Sequence, residues 1–294
     1  MIPDSKIEQW LREDVGHHDV TNQVPGETRG RLVAEERGVV AGLEAAHAVF
    51  EYLGVAVVDS AAAGDRVEAG DAVLEVEGAA RDVLRGERVA VNITGHASGI
   101  ATRTRRAVDA AREVDQQESS DEPGGGAARR ESDGVRVAGT RKTTPGLRGV
   151  EKRAIVAGSG DTHRLDLSHM VMVKDNHVAE MGLEPAVEQF RERASFATKI
   201  EVEVERPADA PRAAEAGADI VLLDNMRPAE TEEAVGLLRE TAAELGREVS
   251  AEASGGITVE DVPAYAATGV DVISMGSLTH SAPTLELSFR TGEQ

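Results

Sequence analysis

The chain has 294 residues, of which 40% are hydrophobic and only 2% aromatic, so a large core must consist chiefly of aliphatic side chains. It contains no cysteine, which excludes disulfides, thiolate-bound metals and thiol nucleophiles. The formal net charge of −21 argues against nucleic acid as a partner, because phosphates would be repelled. No apolar run is long enough for a membrane span, and the first ten residues lack a signal-peptide pattern. We therefore expect a cytoplasmic protein with no membrane partner.

The first hundred residues predict a mixture of helices and strands. Apolar residues at helical spacing predict helices over residues 6–13, 43–53 and 85–107, and an alternating pattern predicts a strand over 31–40. Two glycine turns, Gly64-Asp65 and Gly70-Asp71, flank Val67 and precede a short apolar run, which predicts tight strands and hairpins.

A polar segment, residues 115–134, interrupts this pattern. It contains Pro123 followed by three glycines, six acidic residues and no large apolar residue. Such a composition cannot bury enough apolar surface to fold, so we predict a flexible acidic insertion with no role beyond solubility.

From residue 135 onward the pattern alternates between strands and helices. Strands are predicted over 135–138, 170–173, 200–204, 220–223, 249–253 and 272–274, and helices over 184–194, 208–216, 228–245 and 259–267. Repeated β-α units imply a parallel sheet, either open or closed into a barrel. Polar residues follow several strand ends, and in a barrel these ends share the rim where active sites lie. The pattern therefore favours a barrel.

The segment from Thr140 to Arg148 reverses the sign of the surrounding charge. Between Arg141 and Arg153 there are five basic residues and one acidic residue, in a chain that is otherwise strongly acidic. Arginine offers a planar fork for a carboxylate, and Lys142 offers a point charge for a phosphate. We predict an anionic ligand here; the alternative is a basic patch that pairs with the acidic surface.

The pair His163-Arg164 is a candidate for binding a second carboxylate, followed along the chain by Lys174. A single histidine is more often structural, and that alternative stays open for His163. Neither His169 nor His177 has such neighbours, so packing or capping is the better prediction for both.

Glu201, Glu203 and Glu205 alternate along a predicted strand and should point to the same face. Three carboxylates in a row repel one another unless cations meet them, so a magnesium–pyrophosphate complex or ribose hydroxyls would suit this face. Asp224 ends the next strand and is a candidate for the same group. The alternative is an edge strand with a solvated face.

Two glycine-containing turns end the last two predicted strands, and they are candidates for binding phosphate. Glycine lets backbone N–H groups approach a phosphate closely, and loops after the last two barrel strands commonly do so. The residues concerned are Ser254, Gly255, Gly256, Met275, Gly276 and Ser277.

Taken together, these motifs resemble those of the quinolinate phosphoribosyltransferases. The resemblance covers nearly the whole chain in family order. The matching stretches are Glu13–Gly16, Asp19–Thr21, Gly86–Arg88, Ser98–Thr102, Thr140–Thr143, His163-Arg164, Lys174–His177, Leu223–Asn225, Ser254–Gly256 and Gly276–Ser281.

The resemblance implies a fold of two domains. It implies a smaller N-terminal α/β sandwich domain over residues 1–109, to which the tail 281–294 returns, and an incomplete, six-stranded α/β barrel over 110–280. It also implies a homodimer with a shared active site, or a higher oligomer built from such dimers, and Mg²⁺ bound with phosphoribosyl pyrophosphate. The sequence departs from the family at Gly139, where an acidic residue is usual, and in the longer insertion at 115–134.

The resemblance also assigns candidate site residues. For quinolinate these are Arg88 from the partner chain, Thr140, Arg141, His163, Arg164 and Lys174. For phosphoribosyl pyrophosphate they are Lys142, Glu203, Asp224, Ser254, Gly255, Gly256, Met275, Gly276, Ser277 and His280. Glu203 and Asp224 are also candidates for holding the metal, directly or through the substrate.

Three other functions fit parts of the sequence less well. A related phosphoribosyltransferase acting on nicotinate would keep the phosphate turns but would not need a site for two carboxylates. A biotinyl or lipoyl carrier, suggested by the stretch 64–78, requires a hairpin lysine, and no lysine lies between Lys6 and Lys142. An acidic barrel that only binds a sugar phosphate would not explain the two basic segments.

Finally, only five of the 32 basic residues are lysines, and an acidic, lysine-poor composition is typical of halophilic proteins.

Overall fold

A computed structural model describes residues 2–121 and 134–292 of the chain. In the described residues, helices and strands follow one another along the chain. In chain order they are α1 (Asp4–Val15), β1 (Glu27–Ala34), β2 (Gly38–Val39), α2 (Leu43–Tyr52), β3 (Ala56–Ser60), β4 (Arg66–Val67), β5 (Ala72–Ala79), α3 (Ala80–Asp121), β6 (Arg136–Ala138), α4 (Arg148–Ala157), β7 (Val171–Val173), α5 (Asp175–Met181), α6 (Leu183–Arg193), β8 (Ile200–Val204), α7 (Asp209–Glu215), β9 (Ile220–Asp224), α8 (Pro228–Leu245), β10 (Ser250–Ser254), α9 (Val262–Ala266), β11 (Val272–Ser274), α10 (Ser277–His280) and β12 (Leu287–Thr291).

These elements form two compact units. The first consists of Met1–Arg105, Thr144–Ser159 and Ser281–Gln294, and the second of Arg106–Thr143 and Gly160–His280. The segment that contains α4 thus belongs to the first unit, although it lies between two stretches of the second. The domain division at residues 109 and 110 stays a prediction from the resemblance.

The first unit is a four-stranded antiparallel sheet with helices packed on it. The strand order is β12-β1-β5-β3, and β12 pairs with β1 from Gly30↔Thr291 to Ala34↔Leu287. From α2, the fully buried Phe50 stacks on Phe289 with ring centroids 5.9 Å apart. The predicted hairpins are wrong in their pairing: β4 pairs with β2, whereas β5 lies between β1 and β3, because the apolar run of β5 is buried best at the centre of the sheet.

Helix α3 is longer at both ends than the sequence predicted. It starts at Ala80 rather than residue 85 and continues to Asp121, so the flexible insertion predicted from residue 115 is wrong over its first seven residues. Glutamate and glutamine are good helix formers, and the helix extends into them. The rest of the predicted insertion, 122–133, lies outside the described residues. Among the described residues, no helix combines the length and the low charge that a membrane crossing needs.

The second unit contains a sheet of six parallel strands, as predicted. The order is β6-β11-β10-β9-β8-β7, so each of β8 to β11 is flanked by strands on both sides. Their small and aliphatic residues are almost fully buried, which is expected when helices cover a parallel sheet. Helix α8 shows how sharply these elements are bounded: Pro228 occupies its first turn, Glu230 accepts a hydrogen bond from the backbone N–H of Arg227, and left-handed Gly246 ends it.

The segment 161–164 lies between the two edge strands of this sheet. Asp161 forms a parallel bridge with Ala138 of β6, and the Arg164 guanidinium donates to the sulfur of Met172 in β7 at 3.0 Å. The side chains of Glu201 on β8 and Glu252 on β10 come together with His163, although β9 separates their strands. Inward side chains from alternate strands meet in this way inside a barrel, so the sheet has the curvature of an incomplete barrel.

Candidate active site

All candidate residues except Arg88 lie in the second unit, most of them at or near one edge of its sheet. Because the six strands are parallel, their carboxyl ends share that edge. The polar segments predicted from the sequence lie at or directly after the ends of five of these strands: β6, β7, β9, β10 and β11. The candidate residues there are Thr140, Arg141, Lys142, Lys174, Asp224, Ser254, Gly255, Gly256, Met275, Gly276, Ser277 and His280.

The loop after β6 holds its two cations in different environments. Arg141 is half-buried, and its Nε has no hydrogen-bond partner among the described residues, whereas Lys142 is exposed. The backbone N–H of Lys142 donates to the Thr140 hydroxyl at 3.1 Å. The Lys142 carbonyl oxygen accepts a hydrogen bond from Thr279 Oγ1 at 2.6 Å. The loop is thus braced by a helix that follows β11, and Arg141 retains a buried donor for an anion.

His163 and Arg164 form a tight turn beside β6. His163 has a left-handed backbone, with φ 53°, and its backbone N–H donates to Asp161 Oδ1 at 2.7 Å. The Arg164 side chain is buried, and burial together with the nearby positive charge of Arg141 lowers its pKa. The carboxylates of Glu201, Glu203 and Glu252 oppose that shift, so a cation and acidic groups both act on the charge of Arg164.

Both ring nitrogens of His163 contact the protein. Nε2 lies 3.1 Å from Glu252 Oε2 and 3.6 Å from Glu201 Oε1, while Nδ1 lies 2.7 Å from the backbone nitrogen of Arg164. Burial lowers the pKa of the His163 ring, but the two carboxylates outweigh burial and raise it. Nδ1 can accept the Arg164 N–H only when it carries no proton. The contact with the Arg164 N–H therefore opposes the effect of the carboxylates, because it favours a ring that carries a single proton, on Nε2.

The acidic residues of β8 differ from one another. Glu201 is fully buried, Glu203 is half-buried and Glu205, beyond the strand, is exposed. The alternative of an edge strand with a solvated face is therefore wrong for Glu201, because β8 lies between β7 and β9. Burial and the nearby Glu252 raise the pKa of Glu201, and neither of its carboxylate oxygens has a hydrogen-bond partner among the described residues.

Lys174, at the end of β7, pairs with one of the acidic residues of β8. Its Nζ lies 2.6 Å from Glu203 Oε2. Burial and the charge of Glu203 raise the pKa of Asp224, and Glu205 acts in the same direction, so these carboxylates are close enough to repel one another. An oxygen-rich group with unbalanced negative charge suits a hard cation such as Mg²⁺, so Glu203 and Asp224 fit the metal that the resemblance implies.

The turn after β10 leaves no room for a side chain at one position. Gly255 has φ +101°, and a Cβ there would lie 2.4 Å from Asn225 Oδ1 and 2.5 Å from the Asn225 backbone nitrogen. Gly276, after β11, lies against the Lys142 side chain and His280 Nε2. Met275 is buried in the barrel core, while Ser277 Oγ donates to the Ile257 carbonyl at 3.1 Å. The structure thus groups the Gly276 turn with Lys142 and His280, and the Gly255 turn with Asn225.

Arg88 lies in the first unit, on α3, and is exposed. It borders a cleft of about 470 Å³, together with side chains of α1 and the loop before α4. Arg88 Nη2 is 3.4 Å from the adjacent Glu87 carboxylate. Its predicted approach from a partner chain stays a prediction.

Some residues of this region were missed by sequence reasoning. Glu252 lies inside a predicted strand, yet nothing in the sequence indicated that its side chain meets His163, 89 positions earlier. The signal available was a carboxylate flanked by alanines in a strand, which is unusual for a buried position. Thr279 and Asn225 also brace the loops and were not predicted. His177, by contrast, caps α5 as predicted, since its Nδ1 accepts the Lys174 backbone N–H at 2.9 Å.

Comparisons with known proteins agree over nearly the whole chain. Residues 19–98 match the family "Quinolinate phosphoribosyl transferase, N-terminal domain" and residues 125–290 match its "C-terminal domain". A relative from Methanothermobacter thermautotrophicus, named a probable nicotinate-nucleotide pyrophosphorylase (carboxylating), is 44% identical and 96% of each chain is covered. The human nicotinate-nucleotide pyrophosphorylase (carboxylating) is 41% identical, with 97% of this chain and 90% of the human chain covered. The crystal structure of NadC from Streptococcus pyogenes superposes with a TM-score of 0.84 at 36% identity, covering 98% and 96% of the two chains.

Proposed function

This chain belongs to the quinolinate phosphoribosyltransferase family, and we infer that it makes nicotinate mononucleotide for NAD biosynthesis. In this reaction the phosphoribosyl group of phosphoribosyl pyrophosphate is transferred to quinolinate, and carbon dioxide and pyrophosphate are released. Relatives with this activity in their names match nearly the full length of the chain.

The observation that carries the proposal is the grouping of buried and half-buried cations at the barrel rim of a chain with net charge −21. Arg141 is close enough to Arg164 to lower the pKa of its guanidinium, and the buried Nε of Arg141 has no hydrogen-bond partner among the described residues. Quinolinate has two adjacent carboxylates beside its ring nitrogen, so two guanidinium groups meet its charge and shape. Nicotinate has only one.

We assign quinolinate to Thr140, Arg141, His163, Arg164 and Lys174, with Arg88 supplied by the partner of a homodimer. The cations neutralise the carboxylates and fix the ring so that its nitrogen faces the anomeric carbon of the second substrate. Positioning of this kind is the main contribution an enzyme makes to a two-substrate transfer.

We assign phosphoribosyl pyrophosphate to Lys142, the glycine turns around Gly255 and Gly276, and His280. Ser254, Gly256, Met275 and Ser277 complete these turns. Glu203 and Asp224 would hold ribose hydroxyls or Mg²⁺, which neutralises charge on the pyrophosphate when it is bound.

In the transfer step the ring nitrogen of quinolinate forms a bond to the anomeric carbon while the bond to pyrophosphate breaks. The ribosyl group carries positive charge in the transition state, and the carboxylates of Glu203 and Asp224 favour that charge electrostatically. The quaternised ring then accepts the electron pair of the bond to the 2-carboxylate, which leaves as carbon dioxide. A proton replaces it at the ring carbon.

The competing proposal is a phosphoribosyltransferase for nicotinate. A product assay in high potassium chloride separates the two: the purified chain is supplied with Mg²⁺, phosphoribosyl pyrophosphate and either quinolinate or nicotinate. We expect nicotinate mononucleotide from quinolinate alone. Product from nicotinate alone would overturn the substrate assignment. We also place the enzyme in the cytoplasm, in keeping with its substrates.

A further inference from the structure

Asn225, directly after β9, has a left-handed backbone. Its φ is 56°, a value that is uncommon outside glycine. Asparagine is among the few residues enriched there, because its short polar side chain can form local hydrogen bonds. Its neighbours are two parts of the candidate site: Asp224, which ends β9, and the turn at Gly255, after β10.

Both ends of the Asn225 carboxamide face a candidate residue. Nδ2 donates to Asp224 Oδ2 at 2.6 Å. A carboxylate only accepts hydrogen bonds, so the NH₂ end of the amide is the end that suits it. The other end, Oδ1, lies against Gly255, where an added Cβ would overlap it. The amide therefore fills the space between the Asp224 carboxylate and the phosphate turn.

The backbone of Asn225 makes a further link. Its N–H donates to the Ser254 carbonyl at 3.0 Å, which continues the β9-β10 pairing one residue beyond Asp224↔Ser254. A Cβ on Gly255 would also lie 2.5 Å from this nitrogen. The residue that binds the Asp224 carboxylate thus also joins the ends of the two strands.

We propose that Asn225 is a positioning residue for phosphoribosyl pyrophosphate, whose amide fixes the Asp224 carboxylate while its backbone fixes the turn at Gly255. The proposal rests on the proposed function, in which Asp224 and this turn bind that substrate. A site whose groups are already in place needs no reorganisation when the ligand arrives, and this is the advantage that Asn225 supplies.

The hydrogen bond matters because Asp224 lies among competing charges. Glu203 and Glu205 repel its carboxylate, whereas Lys174 and Lys142 attract it. A carboxylate under such forces has more than one favourable orientation unless a fixed donor selects one. The amide, held by the left-handed backbone, provides that donor.

Two substitutions separate the amide from the backbone conformation. Asn225→Gly tolerates the left-handed φ but lacks the amide, and Asn225→Asp tolerates it but places a second carboxylate against Asp224. Loss of a group that supports a ligand-binding residue typically costs about 10–100-fold. We expect KM for phosphoribosyl pyrophosphate to rise about tenfold in the glycine variant and about 100-fold in the aspartate variant, with KM for quinolinate changing less than about twofold.

An unchanged KM for phosphoribosyl pyrophosphate in Asn225→Gly would overturn the proposal, because the backbone alone would then be sufficient. An equal rise in KM for both substrates would also overturn it, since a general loosening of the barrel rim would explain that result.

Asn22 offers a matched control in the first unit. Its backbone N–H donates to Asp19 Oδ1 at 2.9 Å, and its side chain also hydrogen-bonds to Asp19. Asn22→Gly therefore removes a similar amide–carboxylate contact outside the candidate site. It should lower the melting temperature and leave KM for both substrates unchanged. A rise in KM for phosphoribosyl pyrophosphate as large as that of Asn225→Gly would contradict the proposal.

Calorimetric titration with magnesium pyrophosphate gives a readout that does not depend on turnover. Circular dichroism first establishes that each variant is folded. We expect Asn225→Gly to bind this probe about tenfold more weakly than the wild type and Asn22→Gly to bind it equally well. Equal affinity in Asn225→Gly and the wild type, or no binding to the wild type, would overturn the proposal. If the wild type makes no product from quinolinate, the proposed function fails instead, and the titration still decides the role of Asn225.

Discussion

Gly255 occupies a position where no larger residue fits. Its φ of +101° is unfavourable for a side chain, and a Cβ would clash with the backbone of Asn225. We expect Gly255→Ala to raise KM for phosphoribosyl pyrophosphate at least about tenfold, since a strain of 1–2 kcal/mol corresponds to roughly that factor. Steady-state kinetics at saturating quinolinate would measure it.

Gly236 provides the control for that substitution. It lies in the interior of α8, is exposed, and a Cβ there would meet no atom within 4 Å. Gly236→Ala should leave KM unchanged and stabilise the fold by about 0.5–1 kcal/mol. If both alanine variants showed the same kinetics, the phosphate turn would lie elsewhere.

Glu151 anchors the loop before α4 in the first unit. It is fully buried; its Oε1 is 2.9 Å from His96 Nε2 and its Oε2 accepts the Thr144 N–H at 3.0 Å. Burial would raise the pKa of the carboxyl, but these hydrogen bonds prevail and lower it. The stability that the charged form contributes is therefore present above the ordinary glutamate pKa of about 4.3 and is lost as the pH falls through the lower folded value.

The test is thermal unfolding of the wild type and Glu151→Gln between about pH 7 and pH 3. Glutamine keeps an acceptor for Thr144 but cannot ionise, so the difference in melting temperature should shrink as the pH falls. A difference that stays constant over this range would show that the charge of Glu151 does not contribute.

Sequence patterns predicted single residues well where the chemistry is local. The rim residues follow strand ends that hydrophobic runs reveal. Packing or capping was the prediction for His177, which caps α5. Glu252 was missed because its role depends on its contact with His163, and only the curvature of the barrel brings these two side chains together. Similarly, the alternation of Glu201 and Glu203 was visible, but the burial of Glu201 depends on strands paired on both sides.

Elements with strong patterns were predicted almost to the residue. The predicted helix over 228–245 coincides with α8, and each of the six barrel strands was predicted within about one residue of its end. Helix α4 and the short elements α5, α10 and β12 were not predicted, because few residues carry their pattern. Their stability comes from packing against the rest of each unit, which a single-sequence pattern does not contain.

The short helix α10 supports the loop after β6 through one hydrogen bond. Thr279 Oγ1, which is buried, donates to the Lys142 carbonyl at 2.6 Å. Thr279→Val removes the donor at nearly constant volume and should cost about 1 kcal/mol, with a several-fold rise in KM for phosphoribosyl pyrophosphate. Thr268→Val is the matched control: Thr268 donates to the Tyr265 carbonyl and should lose similar stability without a change in KM. If KM stayed unchanged in both variants, Thr279 would not support Lys142.

At the scale of the whole molecule, the net charge of −21 has a cost. Like charges destabilise a compact chain, and salt reduces this repulsion because the screening length falls from about 10 Å at 0.1 M to about 3 Å at 1 M. We therefore expect the melting temperature to rise by several degrees between 0.1 and 2 M potassium chloride, measured by circular dichroism. A melting temperature that falls over this range would contradict a halophilic character.

Arg141 offers the most direct test of the claim that the barrel rim performs a decarboxylating transfer. The substrate is quinolinate labelled at the 2-carboxylate carbon, and labelled carbon dioxide and nicotinate mononucleotide are measured together. The wild type should release the two in a one-to-one ratio. Arg141→Ala should lose about 10²–10³-fold in kcat/KM while remaining folded, and Arg193→Ala, an exposed residue on α6, should keep full activity. Full activity in Arg141→Ala, or nucleotide without labelled carbon dioxide in the wild type, would contradict the account.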